Sequence, residues 1–192
     1  NNGVGFDSAN GGGWVFDGTD DYINFGNILN IGLSDVSFGG WVKRTGGDGI
    51  NEFIFSKSYA GGGVGRYWAD FNSGNKLRIG FAWGSGGHTN YFFNTNVSIN
   101  TTYHYFAVAD RDGYLNLYLN GVLDAQYDIS SYSSDNMTNT YPYRIGCYTN
   151  SDETTPILFL NGIVSNHHHY SRALTADEVQ QNYNSQKARF TP

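Results

Sequence analysis

A regular alternation of apolar and polar residues in the middle of the chain constrains the fold more than any other feature. Leucine occupies every second position of 115–119, between tyrosine and asparagine, which is the period of a β-strand that buries one face. Asn120 and Gly121 follow at once and indicate a tight hairpin, because both residues tolerate positive φ. With apolar runs on either side, residues 103–128 are predicted to form a three-stranded meander.

Short segments of the same kind recur along the whole chain. They are rich in aromatic and β-branched residues and are bounded by Gly, Asn, Asp and Ser, with no helical segments between them. This pattern is typical of antiparallel sandwiches rather than of α/β folds. The further predicted strands lie at 14–16, 22–25, 37–44, 53–56, 65–72, 76–82, 91–93, 143–147, 157–162 and 164–170. No linker divides the chain, so we expect a single domain over residues 1–192.

One helix is predicted, close to the carboxyl end. Thr175 and Glu178 have the spacing of a capping box, in which each side chain bonds the other residue's backbone N–H. Leu174 is placed to pack against Val179 as a hydrophobic staple. The helix is predicted to run to about Gln186, closing an all-β chain with one short helix.

Composition excludes several classes of protein. Lys and Arg number 11 against 17 Asp and Glu, and they form no basic run, so we expect no nucleic-acid partner. The chain has no stretch of about 18 consecutive apolar residues, which is the length that a membrane-spanning helix needs. Aromatics make up 17% of the chain, which is too many for a disordered segment. The lone Cys147 cannot form an internal disulfide.

Five motifs in one order resemble the laminin G-like family of concanavalin A-like lectin folds. They are FDGTDDYI at 16–23, FGGWVKR at 38–44, YLNG at 118–121, YRIG at 143–146 and the SRAL…EV ending at 171–179. The resemblance covers the whole chain and implies two curved antiparallel sheets in a jelly-roll sandwich, with loops at the rim. It departs from the family pattern at 103–105, where Tyr-His-Tyr stands in place of Trp-His-His. It also departs at 164–170, where the usual Asp is missing and histidine occupies two usually inward apolar positions, 167 and 169.

The last stretch, residues 181–190, resembles the tail of laminin G-like domains in marine bacteriophage structural proteins. This likeness implies a place on a virion surface or another extracellular assembly. The implied partners are other structural subunits or copies of the chain itself.

Catalysis is not expected from this sequence. Glycoside hydrolysis needs two carboxyl groups flanking one bond, and the glucanases of this fold carry a Glu-x-Asp-x-x-Glu strand. The chain has three glutamates, Glu52, Glu153 and Glu178, and none has a carboxylate partner at that spacing. A degraded glucanase is kept as the third hypothesis for function.

Two acidic loops are candidate calcium sites, since Ca²⁺ takes oxygen ligands from carboxylates and loop carbonyls. The first contains Asp17, Asp20 and Asp21, and the second contains Asn150, Asp152 and Glu153. The second loop follows the YRIG strand, and pentraxins of the same fold carry calcium ligands at that place. The alternative for both loops is turn chemistry, in which Asp and Asn cap tight turns.

The run of three histidines at 167–169 is the second candidate metal site. On a strand, His167 and His169 face one side and His168 the other. The pair could hold a transition metal only if a third ligand, such as His88 or His104, came near. The alternative is two partly buried imidazoles with hydrogen-bond partners, whose protonation would destabilise the fold in acid.

Aromatic residues beside Gly-rich loops are the candidate contacts for a glycan or a protein partner. They are Tyr67, Trp68, Trp83, Tyr91, Phe92, Tyr141 and Tyr148. Exposed aromatic patches usually mark an interface. The leading hypothesis is a non-catalytic structural or adhesive surface module that makes contacts through rim loops and exposed aromatics. A calcium-assisted carbohydrate-binding lectin is the alternative.

Overall fold

Two antiparallel sheets packed face to face form the architecture, as the alternating pattern predicts. A computed structural model shows this for residues 3–9, 11–47, 49–84 and 87–190. Residues 1–2, 10, 48, 85–86 and 191–192 of the predicted domain lie outside the described residues.

The strands and the helix follow one another in a simple order. The strands are β1 (Gly5–Asp7), β2 (Gly13–Asp17), β3 (Ile23–Asn24), β4 (Val36–Arg44), β5 (Glu52–Lys57), β6 (Arg66–Phe71), β7 (Lys76–Ala82), β8 (Thr89–Asn96), β9 (Thr102–Ala109), β10 (Tyr114–Leu119), β11 (Val122–Asp128), β12 (Arg144–Ile145), β13 (Tyr148–Thr149), β14 (Pro156–Ile157) and β15 (Asn161–Tyr170). A 3₁₀ turn spans Ser130–Tyr132, and α1 spans Ala176–Phe190. One sheet has the order β1-β2-β15-β4-β9-β10-β11, the other β3-β12-β5-β6-β7-β8, and β13 pairs with β14 separately.

The predicted meander is present in the seven-stranded sheet. Leu115 and Leu117 are fully buried in the core between the sheets, and Leu119 is almost so. Asn120 and Gly121 both have positive φ, 51° and 79°, as a two-residue hairpin turn requires. The sequence missed β1 and predicted one strand over 157–162, where the structure has β14 and the start of β15.

The two long sides of the sandwich differ. On one side β8 and β11, the last strands of the two sheets, are joined by side chains. The Asp124 carboxylate accepts from the backbone N–H and the hydroxyl of Thr95, and the Tyr127 hydroxyl donates to the Phe92 carbonyl at 2.7 Å. On the other side the edge strands are the short β1 and β3, and large apolar residues there stay exposed.

The helix α1 covers the outer face of the seven-stranded sheet. The capping box is present: the Thr175 N–H donates to the Glu178 carboxylate at 2.8 Å, and the Glu178 N–H donates to the Thr175 hydroxyl. Leu174 and Val179 share one apolar cluster with residues of β9 and β10. The helix runs one turn beyond the predicted end, because Phe190 packs on an outward-facing tryptophan of β4. No helix among the described residues is long and apolar enough to cross a bilayer.

We predict that Asp124→Ala destabilises the side of the sandwich on which side chains join β8 and β11. The carboxylate accepts hydrogen bonds from Asn94 and Thr95 across the gap between the sheets, and bonds to a charged acceptor contribute about 1.5–3 kcal/mol each at most. We expect the free energy of unfolding in urea to fall by about 1–3 kcal/mol. Asp128→Ala is the control: among the described residues that carboxylate bonds Ser130, two positions along the chain, and no residue of the other sheet, so its loss should cost less. Equal losses in the two variants would contradict the prediction.

Candidate functional site

Most of the aromatics predicted to be exposed are buried, so their predicted role as open stacking surfaces is wrong. Five of the seven are 9% exposed or less: Tyr67, Trp68, Trp83, Tyr91 and Tyr148. Phe92 and Tyr141 are half-buried. The physical reason is that each lies where a neighbouring strand or loop folds over it, which the local pattern does not show.

Trp83 illustrates this burial. It follows directly on β7, beside a Gly-rich segment, yet its indole N–H donates to the Tyr91 hydroxyl at 3.1 Å inside the core. The ring stacks on Tyr132 at a centroid distance of 5.0 Å, and the Arg111 guanidinium lies over it. Both Trp83 and Tyr91 therefore pack as core residues.

Two of the predicted residues meet on the outer face of the six-stranded sheet. Tyr148 stacks on Phe53 at 4.2 Å and makes an edge contact with Trp68. The Trp68 indole lies across Gly80, where a Cβ would come within 1.9 Å of the ring. This small cluster anchors the β13–β14 hairpin and leaves the ring faces covered. Tyr141 lies elsewhere, against Tyr59 at 4.5 Å.

The first acidic loop converges on one point. Carboxylate oxygens of Asp17, Asp20 and Asp21 all lie within 4.8 Å of one another, which makes them the one group of three or more metal-ligating side chains in the described part of the chain. Asp21 is buried and accepts from the Asp17 N–H at 3.0 Å. Burial, followed by repulsion from the other two carboxylates, raises the pKa of Asp21. Three hard oxygen donors of this kind suit Ca²⁺.

The second acidic loop does not converge in this way. The Asp152 carboxylate accepts from the backbone N–H groups of Thr154 and Thr155 at 2.9 and 2.8 Å. A hydrogen bond from the Thr155 hydroxyl, together with these two backbone bonds, lowers the pKa of Asp152 to about 2. Asn150 similarly accepts from the next residue's N–H, and Glu153 has a positive φ of 64°. The loop has the geometry of a capped turn, which was the alternative interpretation.

A β-bulge decides which way the three histidines point. β15 pairs Ser165 with Trp41 and His168 with Gly39, so two residues of β15 oppose one of β4. Asn166 at the bulge has a φ of 47°. A bulge of this kind shifts the facing of all later residues by one. His167 and His169 therefore face the interior.

The two inward histidines bond tyrosine hydroxyls of the core. The Tyr67 hydroxyl donates its proton to the Leu29 carbonyl at 2.6 Å. His169 Nε2 lies 3.2 Å from the same hydroxyl oxygen, so this nitrogen must be protonated and donate to Tyr67. His167 contacts the hydroxyls of Tyr143 and Tyr105. Within the described residues no third ligand joins the pair, so this geometry matches partnered imidazoles rather than a transition-metal site.

The side of the sandwich with the short edge strands β1 and β3, which we call the open side, contains the candidate site. This site is an apolar cleft that we call the edge cleft. Its volume is about 230 Å³, and it is lined by Trp14, Phe25, Ile28, Leu29, Tyr143, Ile145, His167 and His169. Trp14, Phe25 and Ile28 are 36–42% exposed. Phe25 is fixed to the opposite wall, since its N–H donates to the Tyr143 carbonyl and its ring meets the Tyr143 ring edge-on. The lining contains no acidic or basic side chain except the two imidazoles.

Sequence reasoning missed the walls of this cleft. Trp14 and Phe16 are two positions apart on β2, so their side chains share the face that points toward the other sheet. Phe16 is 1% exposed, whereas Trp14 is 36% exposed, because the edge of the seven-stranded sheet extends past the shorter partner sheet at Trp14. The sequence signal, a tryptophan on a Gly-flanked first strand, does not reveal where the partner sheet ends.

The glutamates show no arrangement for hydrolysis. Glu52 is fully buried, pairs with Arg44 and accepts from the Asn161 N–H at 2.8 Å. Glu178 is held by the capping box and by Arg172. Glu153 lies exposed in the turn already described.

The chain matches a laminin G model described as the concanavalin A-like lectin/glucanases superfamily, over residues 17–180. A search of curated protein sequences found no significant match. The architecture, the motifs and this match agree on the fold.

Several solved structures share the fold. The binding domain of botulinum neurotoxin serotype G superposes with a TM-score of 0.74 at 16% identity, covering 97% of this chain and 46% of that one. The binding domain of Paraclostridial Mosquitocidal Protein 1 gives 0.72 at 16% identity, with 96% and 46% covered. A heptameric pentraxin from Limulus polyphemus gives 0.64 at 16% identity, with 86% and 78% covered. The chain thus spans about half the length of the toxin binding domains, and at these identities the likeness concerns the fold.

We predict that acid destabilises this chain through its buried histidines. Burial lowers the pKa of His167 to about 3 and that of His169 to about 4, while the unfolded value is about 6.5. The unfolded state therefore binds more protons below pH 6.5, and stability falls as the pH drops through that value. We expect each histidine to remove about 2 kcal/mol from the free energy of unfolding at pH 5. Urea titrations from pH 7.5 to 4 measure this, with the exposed His88→Ala variant as the control that should keep the wild-type slope. An unfolding free energy independent of pH over this range would disprove the prediction.

Proposed function

Because the chain belongs to the concanavalin A-like lectin/glucanases superfamily, we propose that it is a non-catalytic binding module of an extracellular or virion-surface assembly. The edge cleft is its contact surface. The whole chain, 1–192, acts as one domain in this proposal. Its partner is another subunit, a second copy of the chain or a surface glycan.

The observation that supports this proposal most directly is the exposure of three large apolar side chains around one concave site. Trp14, Phe25 and Ile28 are partly exposed on the open side of the sandwich. Exposed aromatic residues that line a depression commonly anchor a partner. The lining has no acidic or basic side chain other than imidazole, so it suits an apolar ring or side chain, or the apolar face of a sugar, rather than a charged group.

The acidic cluster of Asp17, Asp20 and Asp21 supports a role for calcium in this module. Asp17 ends β2, and Asp20 and Asp21 lie in the β2–β3 connection, which joins the strand of Trp14 to the segment of Phe25. A calcium ion held by the three carboxylates would neutralise their mutual repulsion and fix this connection. The two walls of the cleft would then be held at a constant distance.

A glycan array and sedimentation equilibrium together test the contact surface. We expect binding to a glycan, or self-association, that weakens at least about tenfold in Trp14→Ala, since an interface anchor is worth about 2 kcal/mol or more and about 1.4 kcal/mol is tenfold. Tyr114→Ala is the matched control, because Tyr114 is 48% exposed on β10, away from the cleft.

Two results would contradict the proposal. Binding that Trp14→Ala leaves unchanged would remove the cleft as the contact surface. Release of reducing sugar from laminarin, lost on substitution of Glu153, would establish the glucanase alternative instead.

We further predict that calcium stabilises the chain through the first acidic loop. At a free concentration 100 times its dissociation constant, an ion that binds only the folded state adds about 2.7 kcal/mol to the free energy of unfolding. A thermal-shift titration should show a rise in Tm that EDTA reverses and that Asp20→Asn removes. Asp152→Asn, in the second loop, should keep the response. A calcium response that survives Asp20→Asn would place the ion elsewhere.

A further inference from the structure

His104 on β9 is buried beneath α1 without hydrogen bonds to its ring. Its exposed fraction is zero, and neither ring nitrogen has a partner among the described residues. Buried polar groups are almost always satisfied, so an unsatisfied one calls for an explanation. Its backbone is fully bonded, since its N–H donates to the Asn120 side chain and its carbonyl accepts from the Asn120 N–H. The strand therefore holds the imidazole in place while its nitrogens stay unpaired.

The imidazole is enclosed by aromatic rings from three directions. The centroid of Trp41 on β4 lies at 5.1 Å, that of Phe106 at 5.7 Å and that of Tyr183 on α1 at 5.7 Å. The helix thus forms the lid of this enclosure. Two further contacts hold α1 on Trp41: the indole N–H donates to Gln186 at 2.9 Å, and the Phe190 ring packs at 4.9 Å.

No carboxylate of the described residues pairs with this ring. The titratable or charged groups on the same outer face and on the covering helix include His168 and Tyr170 of β15, Lys43 of β4, Tyr118 of β10 and Tyr183, Lys187 and Arg189 of α1. The acidic residues of α1, Asp177 and Glu178, lie in its first turn, and Glu178 is paired with Arg172. An imidazolium at position 104 would therefore be cut off from water, with the aromatic rings of Trp41, Phe106 and Tyr183 as its neighbours and no carboxylate of the described residues to pair with it.

We propose that α1 is an acid-releasable cover, and that protonation of His104 detaches it from the outer face of the seven-stranded sheet. Detachment lets the imidazolium reach water and exposes the apolar face formed by Trp41, Phe106, Val108 and Tyr118. The two sheets keep their shared core, because the residues between them contribute nothing to this enclosure. The proposal concerns a surface different from the edge cleft and stands independently of it.

The size of the effect follows from linkage. Burial, with a smaller contribution from His168, lowers the pKa of His104 to about 4 while α1 is docked; in the detached state the ring titrates near 6.5. The opening equilibrium of α1 should then rise about 10-fold at pH 5.5 and about 30-fold at pH 5, relative to pH 7.5.

Hydrogen–deuterium exchange of the full chain at a series of pH values tests this. After correction for intrinsic exchange rates, we expect protection of residues 176–190 to fall about 30-fold between pH 7.5 and pH 5. Residues of β6 and β7, in the opposite sheet, should stay more protected than α1 at every pH, because the core remains folded when α1 detaches. In His104→Phe, which keeps a flat ring without a titratable group, the pH response of α1 should become much smaller, and what remains comes from His168, which contacts Gln186 of α1. His88→Phe is the control that should behave as the wild type does.

Three results would overturn the proposal. They are protection of α1 that does not change with pH, protection of α1 that equals that of β6 and β7, and a full pH response that persists in His104→Phe. Should His104→Phe fail to fold, the comparison of α1 with β6 and β7 in the wild-type chain decides the question alone.

Discussion

Aromatic packing between the two sheets is the interaction on which the rest of the structure depends. Phe38 of β4 contacts Phe55, Tyr67 and Phe81 of the opposite sheet at centroid distances of 5.1–6.1 Å. Each aromatic side chain buries a large apolar area, so a few such contacts dominate the stability of a sandwich. The inward histidines of β15 belong to the same layer, since the His169 ring lies 6.1 Å from Phe38. Their charge state is therefore coupled to the packing of the core.

The outer surfaces of the sandwich have different physical characters. α1 covers one face, the β13–β14 hairpin partly covers the other, and side chains of β11 seal one edge. The remaining edge is where β1, β2 and β3 leave large apolar residues exposed. The proposed contact surface is the cleft at this edge, and the proposed release of α1 uncovers the outer face of the seven-stranded sheet.

Local chemistry explains how far the candidate site could be predicted. The acidic residues of 17–21 were identified correctly as a group, because this turn directs its three carboxylates toward one point. The acidic residues of 150–153 are as close in sequence, yet their turn does not bring them together. The alternation of His167 and His169 toward one side was also correct, but the bulge at Asn166 determines that this side is the core. The binding aromatics were largely misassigned. Proximity to a glycine-rich segment does not indicate whether the fold closes over a ring, as Trp83 shows.

The sequence by itself determined the elements whose signals are local. The alternating leucines of β10, the Asn120-Gly121 turn and the Thr175 capping box need only neighbouring residues to act, and each formed as predicted. The tertiary structure alone decided exposure. Trp14 and Phe16 have equivalent positions on one strand, yet one is open and the other closed. The reason is that burial depends on which distant strand lies opposite, and no property of the strand itself records where the opposing sheet ends.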